Sequence, residues 1–267
     1  MQSPSRIASI EPVRVRRARP LLGTIVEIEV GAEQAVSHLH AAIDAGFAAI
    51  EQVHGLMSYQ DARSELSRLN RTATGEAQRA DPRTLAVIQA ALEFARLSGG
   101  AFDPCVLDKH ATWRDVEIID VELVRYSRPL RLDLGGIAKG FAVDMAVETL
   151  QRWELDEILV NAGGDLRVAG RQQRSITLRD PTAPLHSGHT LAVREAALAT
   201  SAAYFSPSLI NGCSREPYSG GNSVSVRADT CMAADALTKV VLFAEPAVAQ
   251  LCLARCSARA YVLGGNT

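Results

Sequence analysis

Three short segments of the chain carry residue types whose spacing could do chemistry. In Arg131-Leu-Asp-Leu-Gly-Gly-Ile-Ala-Lys-Gly140 a strand-like run meets Gly135-Gly136 and passes into an apolar helix. Glycines let the backbone take positive φ and let a ligand approach the main chain closely. The start of a helix offers unpaired amides and the positive end of its dipole, both suited to phosphate, and Lys139 adds a cation in the first turn. A tight strand-to-helix turn with a surface lysine accounts for the same residues, and the Gly-Lys-Ser/Thr ending of a P-loop is missing. In Ile158-Leu-Val-Asn-Ala-Gly-Gly-Asp-Leu-Arg167 an apolar strand ends at Asn161, turns at Gly163-Gly164 and resumes. A plain hairpin explains those glycines. In Asp229-Thr-Cys-Met-Ala-Ala-Asp-Ala-Leu-Thr-Lys239, Thr230 is placed to cap a helix on which Asp235 shares a face with Thr238 or Lys239. A carboxylate beside a hydroxyl or main-chain carbonyl suits Mg²⁺, with phosphate oxygens completing the shell. An Asp–Lys helix pair is an equal account.

Other chemistry-bearing residues give weaker signals. Phe102, in the turn Gly100-Ala-Phe-Asp-Pro104, is expected either to stack on an aromatic ring or to fill the core. None of the histidines (38, 40, 54, 110, 186, 189) stands in a ligand or triad pattern, and all are expected at the surface. The cysteines (105, 213, 231, 252, 256) are odd in number and lack a CxxC. Cys252 and Cys256 would share a helix face, which reads as packing rather than a zinc site. A chain of this size needs no disulfide framework, and free thiols suit a reducing cytoplasm.

The elements that must position these residues can be read from periodicity. Apolar side chains at Val36, Leu39, Ile43, Phe47, Ile50, Val53 and Met57 predict a helix over 33–57. Asp81, Pro82 and Gly99-Gly100 punctuate a second over 82–98, and a third spans 137–153. Strands are expected at 131–134, 157–161, 165–169, 174–179, 190–194 and 223–228. A helical region over 231–255 is broken near Pro246, and 258–263 forms a last strand. Leu22, Thr24, Val26, Ile28 and Val30 alternate with other residues in a strand pattern, preceded by a basic, flexible tail over 1–19 with Arg14, Arg16, Arg17 and Arg19. Helices and strands mix without regular alternation, so the expectation is a single α+β domain over 20–267. A formal charge of −2 gives no electrostatic case for nucleic acid or an anionic membrane. No apolar run reaches the roughly 20 residues of a membrane span. The stretch Pro20 to Val26 is short and runs into Glu27 and Glu29, which argues against an export signal.

Taken in order along the chain, the segments form a set. They are Leu22-Gly23-Thr24, Met57-Ser58-Tyr59, Ser64-Glu-Leu-Ser-Arg-Leu-Asn70, Ala101-Phe-Asp-Pro104 and Asp133–Gly140 with Asp144. Asn161–Arg167, Leu178-Arg-Asp-Pro181, Ala199-Thr-Ser201 and Cys231–Lys239 follow. This set resembles the FAD:protein FMN transferase (ApbE) family from about residue 20 to 245. The resemblance implies one flavin-transferase domain, related to the T-fold, with mixed and antiparallel sheets and packed helices. It implies FAD as substrate, Mg²⁺ as cofactor, and transfer of FMN to a threonine or serine hydroxyl of an acceptor flavoprotein with release of AMP. Carried over by position, Leu22 falls where the family usually has methionine beside the flavin, with Tyr59 also on the cofactor. Ala101, Phe102 and Asp103 line the isoalloxazine site with Ile210 near the ring. Asp133 and Lys139 hold the nucleotide. Gly136, through its carbonyl, and Asp235 ligate the metal, and Asp235 and Lys139 carry the catalysis.

Three departures stand out. The family's metal-binding threonine stands four residues after the aspartate, a place held here by Lys239, with Thr238 one residue earlier. Either the lysine ammonium takes the cation's place or Thr238 substitutes as ligand. The family's His-Ile-Ile-Asp-Pro-Arg-Thr-Gly is here Ser208-Leu-Ile-Asn-Gly-Cys-Ser-Arg215, so Ser208 and Asn211 replace its histidine and aspartate. The stretch between Asp103 and Asp133 is also shorter than usual. Family members are often exported, whereas this chain is expected in the cytoplasm. Three activities fit the set: flavin transfer, flavin binding without transfer, and FAD pyrophosphatase chemistry with water as acceptor.

Overall fold

A computed structural model describes residues 13–181, 189–202 and 209–264. An antiparallel hairpin opens the fold. Strand β1 (Val13–Leu21) pairs with β2 (Thr24–Ala32) from Val13↔Ala32 to Leu21↔Thr24. The two turn residues, Leu22 and Gly23, have φ of 55° and 71°, the double positive φ that matches strand twist in a two-residue hairpin. Residues 13–19 therefore form an edge strand rather than a tail. Their arginines are held by carboxylates on neighbouring elements: Arg14 by Glu157 at 3.0 Å, Arg17 and Arg19 by Asp44 at 2.9 and 2.6 Å. Residues 1–12 lie outside the described part of the chain.

The hairpin starts a seven-stranded antiparallel sheet of order β1-β2-β6-β7-β10-β11-β12. Its further strands are β6 (Glu157–Ala162), β7 (Asp165–Gly170), β10 (Ala196–Ala202), β11 (Ser223–Ala228) and β12 (Arg259–Leu263). Helices α1 (Val36–Met57), α4 (Ala138–Leu150) and α5 (Cys231–Phe243) pack side by side along the sheet, over β1–β2, β6–β7 and β10–β11 respectively. Val26, Ile28 and Val30 of β2 point into the core beneath them, which explains the period-two pattern of that strand. Beyond this layer lie α2 (Glu65–Thr72), α3 (Pro82–Leu97), α6 (Pro246–Arg255) and a small sheet of order β3-β5-β4 (Gln78–Arg79, Leu123–Tyr126, Val116–Ile118). The hairpin of β8 (Arg174–Thr177) and β9 (Thr190–Val193) contributes to a second cluster with Leu166, Val168 and Leu198. Among the described residues no helix is long and apolar enough to cross a membrane.

The expected strand at 131–134 is instead irregular. Leu130, Leu132 and Leu134 are buried in alternation, which mimics a strand, but the backbone bonds to a side chain of α2 and to a loop rather than to a ladder. Asn70 brackets Leu132 at its N–H (3.0 Å) and its carbonyl (2.9 Å), and Asp133 N–H donates to the Pro104 carbonyl at 2.7 Å. Of the histidines, 40, 110 and 189 are exposed, 38 and 54 are half-buried, and 186 lies outside the described residues. All five cysteines are free.

Candidate functional site

The start of α4 is fixed by the turn Gly135–Ile137, in which the Ile137 and Ala138 N–H groups both donate to the Leu134 carbonyl, at 3.0 and 2.8 Å. Asp133 folds back to accept from Gly135 N–H at 2.8 Å. Burial pushes the Asp133 carboxyl above its ordinary range, and that N–H partly offsets the effect. Gly136 lies against the ring of Phe102, where an added Cβ would stand 3.2 Å away, and 3.7 Å from Lys239 Cε. Phe102 is a core residue, edge-on to Phe94 at 6.3 Å, yet it also forms the wall beneath this turn.

One turn into α4, Gly140 is where the helix meets α5. A Cβ there would collide with the Cys231 carbonyl oxygen and approach Met232 N to 2.8 Å. The closeness lets the Asp235 carboxylate reach back to Gly140 N–H at 3.2 Å. Asp144, a further turn along, accepts from the N–H groups of Cys231 (2.9 Å) and Met232 (2.8 Å), while Thr230 caps Ala233 N–H at 3.3 Å. The first turn of α5 is thus bound to α4 by side chains of both segments.

A cluster of four charges fills the junction. Lys139 forms a close ion pair with Asp165 at the start of β7, and Lys239 forms one with Asp235. Lys239 Nζ also donates to the Asp235 main-chain carbonyl at 2.9 Å. Both carboxylates are almost fully buried, at 2% and 1% exposure. Burial alone would push the Lys139 ammonium down, but Asp165 and then Asp235 outweigh it and hold it above its usual range. Burial raises the Asp165 carboxyl, which the lysines only partly offset. At Asp235 burial is overcome by Lys239, Lys139 and the Gly140 N–H, and the carboxyl is held low. The Thr238 hydroxyl donates to the Asp235 carbonyl at 2.7 Å and meets the Ser201 hydroxyl at 2.6 Å, wholly buried.

A second group of expected residues converges beside the Phe102 wall. Gly212 N–H donates to the Ala101 carbonyl at 3.0 Å, and Ile210 bridges to Pro217 in the same loop. Arg215, in a left-handed conformation (φ 62°), holds Asp103 at 2.9 Å and the Ala111 carbonyl at 3.0 Å. Asp103 also accepts from Cys105 N–H (2.8 Å) and Trp113 N–H (3.1 Å), and burial nonetheless raises its carboxyl above the ordinary range. Arg215 Nη1 and Trp113 Nε1 are buried with no partner among the described residues. Asn211 closes its loop by accepting from Cys213 and Ser214 N–H at 2.8 and 3.2 Å, and Ser208 lies outside the described residues. Leu22 sits at a hairpin tip whose neighbour Thr24 packs on Gly163, two residues from Asp165. Tyr59 lies in the link between α1 and α2, half-buried against the core, and none of its hydrogen bonds reaches the charged cluster.

Sequence reasoning missed Asp165 and Arg215 as site residues. Asp165 stood inside a segment that a hairpin already explained, and its role shows only once α4 packs on β7. Arg215 carried no local signal beyond its place in the divergent loop.

Residues 22–262 match the sequence profile of the ApbE family. An FAD:protein FMN transferase from Treponema pallidum (strain Nichols) is 26% identical over 232 residues, covering 70% of this chain and 64% of that protein. One from Vibrio cholerae serotype O1 is 26% identical over 156 residues, covering 49% and 47%. The chain thus spans less than two thirds of the length of either relative. The fold matches the ApbE protein of Thermotoga maritima with a TM-score of 0.84, at 24% identity and 94% of both chains. It matches a mutant of the flavin transferase ApbE from Vibrio cholerae at 0.81, with 22% identity over 94% of this chain and 93% of that one. By sequence profile and by fold, the chain belongs to the ApbE family.

Proposed function

We propose that the protein transfers FMN from FAD to a threonine or serine hydroxyl of an acceptor flavoprotein. The observation that carries this reading is the convergence of the Gly135-Gly136 turn, the start of α4 and the Lys139–Asp165–Asp235–Lys239 cluster at one place. The Gly135, Ile137, Ala138 and Gly140 amides are taken by Asp133, Leu134 and Asp235, so it is the Gly136 N–H, the positive end of the α4 dipole and the two ammonium groups behind it that suit the diphosphate of a dinucleotide. The flavin ring lies toward Ala101, Phe102 and Ile210, beside the buried Arg215–Asp103 pair. Asp103 organises that loop through Arg215, Asp133 shapes the diphosphate turn, and Leu22 and Tyr59 border the flavin.

The acceptor oxygen attacks the phosphorus on the FMN side, the bond from that phosphorus to the bridging oxygen breaks, and AMP leaves with that oxygen. The hydroxyl proton passes to water. Such chemistry needs the diphosphate's charge neutralised and the attack held in line, which is positioning and electrostatics. Lys139 supplies charge, and Asp235 fixes Lys239 and the α4 backbone.

The Mg²⁺ implied by the resemblance does not fit these residues. Lys239 occupies one Asp235 carboxylate oxygen and its main-chain carbonyl, and Thr238 is committed to Asp235 and Ser201. Thr238 is therefore read as positioning Asp235 rather than as a ligand. We infer a reducing compartment, the cytoplasm, in keeping with five free thiols of which Cys213 is exposed.

Incubation with FAD and candidate acceptor proteins tests the reading. AMP release with covalent flavin fluorescence on the acceptor is the expected result; FAD left intact with every acceptor overturns it. Flavin binding without transfer is the second reading, favoured by the Lys239–Asp235 pair, and it predicts bound FAD with no AMP.

A further inference from the structure

We propose that Lys239 is a built-in replacement for a divalent cation, so that the protein engages the FAD diphosphate without metal. The inference rests on the assignment of that diphosphate to the α4 turn. An ammonium has three N–H donors. Lys239 spends one on the Asp235 carboxylate and one on the Asp235 carbonyl, the two oxygens a cation on this aspartate would reach first. The third remains, and the Lys239 stem passes close enough to Gly136 to lie 3.7 Å from where a Cβ would be. The charged end is therefore anchored beneath the same glycine turn that opens α4.

Charge balance points the same way. Two carboxylates and two ammonium groups already neutralise each other in a nearly dry junction. A divalent ion added there would stand beside the Lys239 ammonium, which already holds the Asp235 carboxylate and carbonyl oxygens, and like charges at short range in low dielectric repel strongly. A diphosphate, in contrast, can accept from the Lys239 N–H that neither Asp235 oxygen uses. Gly136 has no side chain to hold the ligand away from the ammonium.

The test is FAD binding by the full chain, followed by flavin fluorescence, after exhaustive chelation and again with MgCl₂. Wild type is expected to bind equally in both. Lys239→Thr is expected to lose about tenfold in affinity under chelation, the worth of one charge-assisted hydrogen bond, and to regain it with MgCl₂. Lys239→Met, which cannot ligate, is expected to stay weak in both. Manganese titration of wild type with FAD, read by electron paramagnetic resonance, is expected to show no stoichiometric bound ion, and needs no variant to fold. Wild-type binding that depends on MgCl₂, or one tightly bound Mn²⁺ per chain, overturns the inference and leaves the flavin reading standing. Failure of wild type to bind FAD in either condition overturns both.

Discussion

The ion pairs between β1 and its neighbours at the surface and those at the α4–α5 junction differ in what they do. Along β1, Arg16, Arg17 and Arg19 meet Glu27, Asp44 and Glu51 at the surface, where all six side chains keep contact with water. Between α4 and α5 the pairs Lys139–Asp165 and Lys239–Asp235 are closed in by helices and sheet, their carboxylates almost dry. Exposed pairs gain little net free energy, because water screens them and ordering long side chains costs entropy. Buried pairs must recover a large desolvation penalty, and a well-packed apolar replacement is often as stable. The β1 pairs therefore steer an edge strand against α1, whereas the inner cluster is hard to explain as a stabilising device. It reads as two ammonium groups held in fixed positions behind the α4 turn.

Breaking one half of an inner pair should have the largest effect. Asp235→Ala leaves Lys239 uncompensated and is expected to lose about 3 kcal/mol of stability in urea unfolding, together with AMP release. The double variant Asp235→Ala/Lys239→Met should recover much of the stability and none of the flavin chemistry. Equal losses in single and double variants would remove the distinction between the two settings. Gly140→Ala, which drives a methyl into the Cys231 carbonyl, is expected to cost about 2 kcal/mol and to weaken FAD binding through the displaced α4. An unchanged unfolding midpoint would mean that α4 and α5 separate easily. Arg215→Ala strands the buried Asp103 and should cost about 1–2 kcal/mol, with affinity lost equally for riboflavin and FAD because it acts on the ring side. Arg17→Ala is expected to leave the urea midpoint unresolved from wild type at high salt; a clear shift would give the surface pairs a weight this account denies them.

Much of the helical layer was legible in the sequence because its periodicity and caps are local. Asp81 caps α3 and Thr230 caps α5 as their spacing suggested, and the break at Pro246 separates α5 from α6. The sheet was less legible where burial removes alternation. β10, Ala196-Ala-Leu-Ala-Thr-Ser-Ala202, is buried on both faces and built of small residues, so it shows neither a period of two nor strong β-propensity. β1 was hidden by its arginines, which are unremarkable in a tail but suit an edge strand. α2 has a sound cap in Ser64 yet only eight residues, too few for a helical period to stand out. At the site, Gly136, Lys139 and Asp235 could be singled out because each sits in a patterned segment. Asp165 and Arg215 could not, since what distinguishes them is a partner 26 or 112 residues away.

The central claim is that the α4 turn and the charges behind it bind a diphosphate. Parallel titrations with riboflavin and FAD, in wild type and in Lys139→Ala, measure it most directly. Wild type should prefer FAD by about tenfold or more, and the variant should lose most of that preference while keeping its affinity for riboflavin. Equal affinity of wild type for the two flavins would contradict the account.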